Sequence, residues 1–269
     1  MRLSAAIGLA FTLWASGPQA HEFWVEPLTF QVDLGEEIAV DLRVGQMLAG
    51  RSYPYLSHKF ARYAVTDGAG VHPLLGNEGD LPSAAYAAAV PGLNIISYEA
   101  LAEQLTYDTF RDFVDFVAEE GLPAIATRHR ERGLPDTGFV ETYSRNAKAL
   151  VQVGAVQEGQ TDTVTGMPFE LVALENPYAG GTTLPVRLLW QGNAVPGAQI
   201  ALFRRSDTGT VIRTTYRTDA TGMASIPLTG NGTFLLSAVH IEESPAESGA
   251  AWHSTWASLT FGQTGRGQP

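Results

Sequence analysis

The sequence predicts a mainly β protein built from antiparallel β-sandwich domains, with a small helical hairpin inserted between strands. Short segments alternate apolar and polar residues with a period of two, and clusters of Gly, Pro, Asp and Asn separate these segments. One stretch near the middle changes to helical spacing instead. With 269 residues, the chain can bury one large core or two modest ones.

The first twenty residues have the pattern of an export signal. Arg2 precedes an apolar run at residues 3–14, and small or turn-forming residues follow up to Ala20. We predict residues 1–20 to be a signal peptide that is cut after Ala20, which makes His21 the first residue of a periplasmic protein. Cleavage after Gly17 is the alternative, and it would leave His21 inside the chain. No later apolar run is long enough to cross a membrane.

Residues 21–175 are predicted to form a β-rich N-terminal domain. Alternating residues at 30–34 and 38–44, with Gly35-Glu36-Glu37 between them, predict two strands joined by a tight turn. Residues 46–60 have no clear period and are predicted to be a loop. Further strands are expected at 61–66, on both sides of Pro91-Gly92 within 86–98, at 148–156 and at 168–174.

The helical hairpin is predicted within about residues 99–133. Phe110, Phe113 and Val117 recur at helical spacing, Thr106 is a candidate N-cap and Gly121 follows as a stop, so a helix is expected over 107–120. A weaker, arginine-rich second helix is expected over 122–132.

The C-terminal domain is predicted over residues 183–262, after a linker of helix- and strand-breaking residues at 176–181. Its turns recur regularly, which is typical of an immunoglobulin-like or transthyretin-like sandwich. Asp219 and Gly222 specify one of these turns, because the carboxylate can accept from nearby amides and glycine allows a positive φ. Residues 263–269 are predicted to be a disordered tail. The expected strands are 184–190, 199–204, 211–217, 224–228, 234–242 and 252–261.

Composition excludes several classes of function. The formal net charge is −11 and basic residues form no cluster, so nucleic acid and anionic lipid are not expected partners. Without cysteine there is no disulfide framework and no thiolate metal site. No nucleophile–base pair or phosphate-binding loop is recognisable, so we predict a protein that is not an enzyme.

A histidine at the mature N-terminus could hold a metal ion. Its α-amine and its imidazole can both give up a proton to a metal at neutral pH. A second imidazole would complete a histidine brace. His240 lies near the end of an apolar strand, on the same face as Glu242, and His253 begins the next strand, so the two would be within about one residue of facing each other. Whether they share a face is left open. His21, His240 and His253 are the predicted metal ligands, whereas His58, His72 and His129 look ordinary.

Several motifs lie along nearly the whole of the predicted mature chain. They are His21-Glu22-Phe23-Trp24-x-Glu26-Pro27, Val44-Gly45-Gln46, Tyr143-Ser144-x-x-Ala147-Lys148, Glu175-Asn176-Pro177-Tyr178, Pro196-Gly197-Ala198, Thr218-Asp219-x-x-Gly222, Ala238-Val239-His240 and Trp256-Ala257-Ser258-Leu259-Thr260-Phe261. With these motifs the chain resembles periplasmic proteins of unknown function that accompany cobalt and nickel uptake systems, the NikM-like group. This resemblance implies a metal-handling role with nickel or cobalt as the ion and a membrane transporter component as a partner.

Three functions remain open at this point. The first is a periplasmic metal-binding accessory protein for uptake or delivery of nickel, cobalt or copper; copper is included because nitrogen ligands bind Cu²⁺ most tightly in the Irving–Williams order. The second is a cell-envelope interaction or adhesion-type module without a metal. The third is a histidine-brace copper oxidase, which only His21 and the β-sandwich class favour.

Overall fold

The computed structural model describes residues 21–263, so the predicted signal peptide and residues 264–269 of the predicted tail lie outside the described residues. The mainly β fold class is confirmed, with eighteen strands and two α-helices in this part of the chain. Within these residues, no helix is both long and apolar enough to cross a lipid bilayer.

The first nine strands precede the helices. They are β1 (Glu22–Pro27), β2 (Gln31–Val32), β3 (Glu37–Gln46), β4 (Ala49–Tyr53), β5 (Phe60–Asp67), β6 (Gly70–Pro73), β7 (Ala84–Ala87), β8 (Gly92–Ala100) and β9 (Glu103–Tyr107).

Two helices and nine more strands follow. They are α1 (Phe110–Glu119), α2 (Ala124–Glu131), β10 (Phe139–Val153), β11 (Phe169–Ala173), β12 (Thr183–Trp190), β13 (Asn193–Ala194), β14 (Gln199–Arg205), β15 (Val211–Arg217), β16 (Met223–Pro227), β17 (Gly232–Glu243) and β18 (Trp252–Gln263). Every strand predicted in the C-terminal segment is present.

A ten-stranded sheet, here called the central sheet, runs through the molecule in the order β15-β14-β17-β18-β10-β8-β5-β6, with β2 and β9 also paired to β10. It joins strands from both predicted domains, because β10 pairs in parallel with β18. The segments 21–175 and 183–262 therefore do not form separate sheets. Two four-stranded sheets cover it: the N-terminal sheet (β1, β3, β4, β7) and the C-terminal sheet (β11, β12, β13, β16).

Side-chain alternation assigns the two faces of the central sheet. Ala147, Ala149 and Val151 of β10 pack into the core shared with the N-terminal sheet. Leu150 and the β18 residues Ala257 and Leu259 pack into the core shared with the C-terminal sheet. Because successive residues of a strand point to opposite faces, odd-numbered side chains of β10 face the N-terminal sheet and even-numbered ones face the C-terminal sheet.

Two details of the predicted N-terminal half are wrong. Strands β2 and β3 do not pair with each other: β2 pairs with β10, while β3 pairs with β1, β4 and β7. Strand β10, which lies more than a hundred residues further along the chain, is the partner of β2 in place of β3. The predicted loop at 46–60 contains strand β4, which continues from β3 through Met47 and Leu48, both with positive φ.

The helical hairpin packs on the same face as the N-terminal sheet. Helix α1 begins after Thr109, whose hydroxyl accepts from the amide of Asp112, so Thr109 rather than Thr106 is the N-cap. Phe113, Phe116 and Val117 of α1 are buried against Trp252 and Trp256 of β18 and their neighbours. This packing anchors the hairpin to the central sheet.

The turn at Asp219 forms as predicted. Its Oδ1 accepts from the amides of Thr221 at 2.8 Å and Met223 at 3.0 Å, and Gly222 adopts a φ of 73°. These hydrogen bonds lower the pKa of Asp219 below its ordinary value. The turn thereby sets the start of β16.

Three partly or fully buried glutamates make the stability of the fold depend on pH. Burial raises the pKa of Glu22, Glu120 and Glu141 to about 7. An unfolded glutamate titrates near 4.5, so the native state binds more protons between these two values. The contribution of these three glutamates to the free energy of unfolding is therefore fully present below about pH 4.5 and is lost as the pH rises through 7.

Replacing Glu22 by glutamine is expected to remove part of this dependence. Its Oε2 is buried without a hydrogen-bond partner among the described residues, and the rise of its pKa from 4.5 to about 7 corresponds to at most about 3 kcal/mol. Urea unfolding should show Glu22→Gln to be more stable than the parent at pH 8 and similar to it at pH 4.5. The exposed Glu37→Gln serves as the control. Equal pH slopes for Glu22→Gln and the parent would contradict the assignment.

Candidate functional site

His21 lies at the edge of a cleft on the face covered by the N-terminal sheet. Nη2 of Arg145 donates to the backbone oxygen of His21 at 3.3 Å. The cleft has a volume of about 350 Å³ and is lined by His21, Val44, Arg51, Ser52, Tyr53, Glu103, Tyr143 and Arg145. We call it the His21 cleft.

Glu103 is already engaged inside this cleft. It accepts from Nζ of Lys59 at 2.7 Å and from the hydroxyl of Tyr143 at 2.8 Å, and Arg145 lies 4.0 Å away. Burial raises its pKa, but the hydrogen bonds from Lys59 and Tyr143 outweigh this and leave the pKa below its ordinary value. With Arg51 also on the wall, cations outnumber carboxylates here, which disfavours a metal ion beside His21.

His240 lies on β17, against the C-terminal sheet. Its ring centroid is 4.2 Å from that of Trp190 and 6.0 Å from that of Phe169. Nε2 of His240 is 3.6 Å from a carboxylate oxygen of Glu242, two residues along the same strand. Burial lowers the pKa of His240, and the carboxylate of Glu242 partly opposes this. The lowered pKa favours the neutral imidazole, which is the form that binds metals.

His253 lies on the adjacent strand β18 and is half-buried. Its Nδ1 is 2.9 Å from Oγ1 of Thr142, and its Nε2 is 3.2 Å from Oγ1 of Thr255. Each threonine hydroxyl can donate or accept, so the two contacts orient the ring with either nitrogen protonated.

The two histidines share one face of the central sheet. His240 is paired with Thr255, and Glu242 is paired with His253. Paired residues point to the same side, so His240, Glu242 and His253 form one surface cluster, here called the histidine patch. The expected β-hairpin is present, but the two histidines are offset by two residues, so they are diagonal neighbours and not opposite each other.

His21 does not belong to this patch. His253 contacts Thr142, an even-numbered residue of β10, whereas the His21 cleft is lined by Tyr143 and Arg145, whose side chains leave the opposite face. The central sheet thus separates His21 from His240 and His253. The structure therefore brings His240 and His253 together on one face and leaves His21 on the other. Across residues 21–263, no three His, Asp or Glu side chains are already positioned around a common metal-binding point.

The remaining histidines have structural contacts. Buried His129 accepts from Nε1 of Trp252 at 3.0 Å on its Nδ1, so its Nε2 donates to the oxygen of Pro135 at 2.9 Å. His72 lies on β6, 3.5 Å from a carboxylate oxygen of Asp67, and His58 lies in a short 3₁₀ turn at the surface.

Sequence reasoning placed Glu242 on the face of His240 but did not assign it a role. It also missed a fully buried group formed by Lys148, Asp162 and Glu170. The available signal was the lysine itself, which interrupts the apolar run of β10 between Ala147 and Ala149. A lysine at a core position needs a buried partner.

A family model for a domain of unknown function, DUF4198, matches residues 18–242. The chain belongs to the DUF4198 family. The match covers the His21 cleft, β17 as far as Glu242 and the buried lysine group, whereas His253 lies beyond it. Membership in DUF4198 does not by itself link the chain to nickel or to the NikM-like group.

Other comparisons add little to the DUF4198 assignment. No curated protein matches the sequence significantly. A solved structure described as "Crystal structure of tetra-tandem repeat in extending region of large adhesion protein" is similar at 12% identity, covering 91% of this chain and 50% of that one, with a TM-score of 0.22. The chain spans about half the length of that structure, and the similarity is too weak to assign a fold.

Proposed function

We propose that this chain is an exported, periplasmic protein that binds one divalent transition-metal ion, nickel, cobalt or copper, at the histidine patch. His240, His253 and Glu242 would be the ligands. The observation that supports this most is the register of β17 and β18, which places two imidazoles and a carboxylate on one face. Such ligands suit these three ions.

The patch is chemically suited to capture an ion from solution. The side chain of His240 is 31% exposed and that of Glu242 is 50% exposed, so an ion can reach both. The lowered pKa of His240 keeps its nitrogen free of a proton at neutral pH. His253 must give up its contact to Thr142 or to Thr255 to bind the ion, which costs about 1 kcal/mol.

The proposed role is binding and delivery beside a membrane transporter component. Three protein ligands leave further coordination positions open, which allows an ion to be passed to a partner. The resemblance described above suggests nickel or cobalt as the ion, and the chemistry of nitrogen ligands suggests copper. Separation of His21 from the other histidines removes the arrangement that a histidine-brace oxidase requires, so we propose binding rather than catalysis.

Titration of the mature protein with Ni²⁺, Co²⁺ and Cu²⁺ tests this function. We expect binding at a 1:1 ratio, and we expect His240→Ala and His253→Ala each to weaken it at least about 10-fold. His21→Ala and His72→Ala serve as controls and should bind as the parent does. Binding should also weaken as the pH falls through the imidazole range, because protons compete with the metal. Unchanged affinity in both patch variants would exclude this site.

The His21 cleft supports a second candidate, a cell-envelope interaction module that binds an acidic group. Arg51 and Arg145 line this cleft and Lys59 donates to its one carboxylate, Glu103, in a protein whose net charge is −11. This candidate is favoured if the titrations detect no bound ion while a polycarboxylate probe such as citrate binds and loses affinity in Arg145→Ala. Arg145 is suited to this contact because a guanidinium binds a carboxylate through two parallel hydrogen bonds.

A further inference from the structure

Lys148 of β10, Glu170 of β11 and Asp162 of the connection between these strands form a closed group. Nζ of Lys148 is 2.7 Å from Oδ1 of Asp162 and 3.0 Å from Oε1 of Glu170, and it donates to the oxygen of Thr163 at 3.1 Å. The side chains of Lys148 and Asp162 are 0% exposed and that of Glu170 is 1% exposed. The amine and two carboxyl groups are therefore held together without water between them.

The charges of this group do not balance. One ammonium and two carboxylates sum to −1 in a site that solvent does not reach, and burial of a net charge is costly. Burial raises the pKa of Asp162, and the neighbouring Glu170 raises it further, against the opposing effect of Lys148. Transfer of the lysine proton to Asp162 yields a neutral amine beside a neutral carboxylic acid, the two forms that can condense.

The surrounding contacts give the two carboxyl groups different roles. Glu170 is fixed as an acceptor, since its oxygens accept from the amide and hydroxyl of Thr165 at 2.8 and 2.9 Å and from the amide of Gly166 at 3.2 Å. Oδ1 of Asp162 lies against the amine and also accepts from the amide of Thr163 at 2.8 Å, whereas Oδ2 accepts from the amide of Ala173 at 3.0 Å. That amide would stabilise negative charge developing on Oδ2.

We propose that Lys148 and Asp162 condense in the folded protein to form an intramolecular amide bond, with Glu170 transferring the proton. The neutral amine attacks Cγ of Asp162, and the electrons of the C=O bond move to Oδ2. Glu170 takes a proton from the attacking nitrogen and passes it to Oδ1, the Cγ–Oδ1 bond breaks, and one water molecule leaves. The C=O bond to Oδ2 reforms, so no oxidant or reductant is needed.

The fold holds the amine and the carboxyl group side by side, so the reaction is intramolecular and its partners are already in place. Nζ is already within hydrogen-bonding distance of the carboxyl group that it would attack, and such preorganisation lowers barriers strongly. The product removes two buried charges. It also ties β10 covalently to the connection before β11 in a chain that has no cysteine for a disulfide. The amide is proposed independently of the histidine patch and of any metal.

Mass spectrometry of the purified, fully denatured protein tests the proposal. Trypsin cuts after lysine and arginine, so an unlinked chain yields the peptides 146–148 and 149–187, because residues 149–186 contain neither residue type. An amide on Lys148 blocks that cut. We expect an intact mass lower by one water molecule than the sequence requires, and a single tryptic peptide 146–187 carrying the whole difference.

Three variants refine the result. Asp162→Ala and Glu170→Gln should both regain the full mass and the cut after Lys148, whereas Lys59→Met, which changes a half-exposed lysine, should keep the linked peptide. If the variants at Asp162 and Glu170 do not fold, the intact mass and the tryptic peptides of the parent protein still test the proposal. A full mass with normal cleavage after Lys148 overturns the proposal, as does a lost water with Lys148 still cleaved, or fragment ions that place the link on Glu170.

Discussion

Replacing Lys148 by methionine is expected to lower the free energy of unfolding by about 3–5 kcal/mol, the usual cost of removing one partner from a buried ion pair. Asp162 and Glu170 would remain in a site with almost no solvent exposure and no cation. Methionine has a similar length and is apolar, so the core keeps its volume while the amine is lost, and with it both the ion pair and the amide link proposed above. Denaturant unfolding followed by circular dichroism measures the change.

Two further variants separate this electrostatic cause from a packing defect. Adding Asp162→Asn and Glu170→Gln to Lys148→Met should recover part of the stability, because the amides carry no charge and each keeps one oxygen that accepts from a backbone donor. Lys59→Met is the matched control, since this lysine is 37% exposed beside Glu103, and surface pairs contribute about 1 kcal/mol or less. Equal losses from Lys148→Met and Lys59→Met would contradict the interpretation.

Truncation of Trp252 to alanine is expected to cost about 3–5 kcal/mol. Its side chain is 1% exposed between the helical hairpin and the central sheet. The ring stacks on Phe113 at 6.0 Å between centroids and lies 4.7 Å from Cζ of Arg132, and its Nε1 donates to Nδ1 of His129 at 3.0 Å. The variant leaves a cavity and removes the indole N–H that donates to Nδ1 of buried His129.

The loss should be concentrated at the hairpin. Hydrogen exchange in α1 and α2 should accelerate more than in β12, because the anchor of the hairpin is gone while the C-terminal sheet keeps its core. Trp252→Phe should cost less, and Leu101→Ala, at a leucine that is 48% exposed, should be nearly silent. A uniform increase in exchange across the chain would argue against a local anchor.

Local patterns in the sequence predicted the C-terminal strands well. Each strand is bounded by turns with clear chemistry, such as the Asp219 turn, and neighbours in sequence mostly pair through β14–β15 and β17–β18. The helices were predicted for the same reason, since Phe113 and Val117 recur at helical spacing. The N-cap was misplaced because threonine occurs at both 106 and 109. Thr106 belongs to β9 and pairs with Val140 of β10, so the helix begins only after Thr109.

Long-range pairing could not be predicted. The parallel pairing of β10 with β18 joins segments separated by more than a hundred residues, and no local pattern encodes it. This pairing also determines which of the predicted metal ligands lie on the same side of the central sheet. It fixes which side chains of β10 face each outer sheet, and it therefore places the central sheet between His21 and His253. The partners of Lys148 could not be predicted for the same reason, because the carboxylates of Asp162 and Glu170 lie in a separate segment of the chain.

Anomalous diffraction from crystals of the mature protein grown with Ni²⁺ tests the proposed metal site most directly, because it locates the ion. We expect one strong peak within coordination distance, about 2 Å, of an imidazole nitrogen of His240 and one of His253, with Glu242 nearby. A peak beside the amine of His21, with none at the histidine patch, would contradict the proposed site.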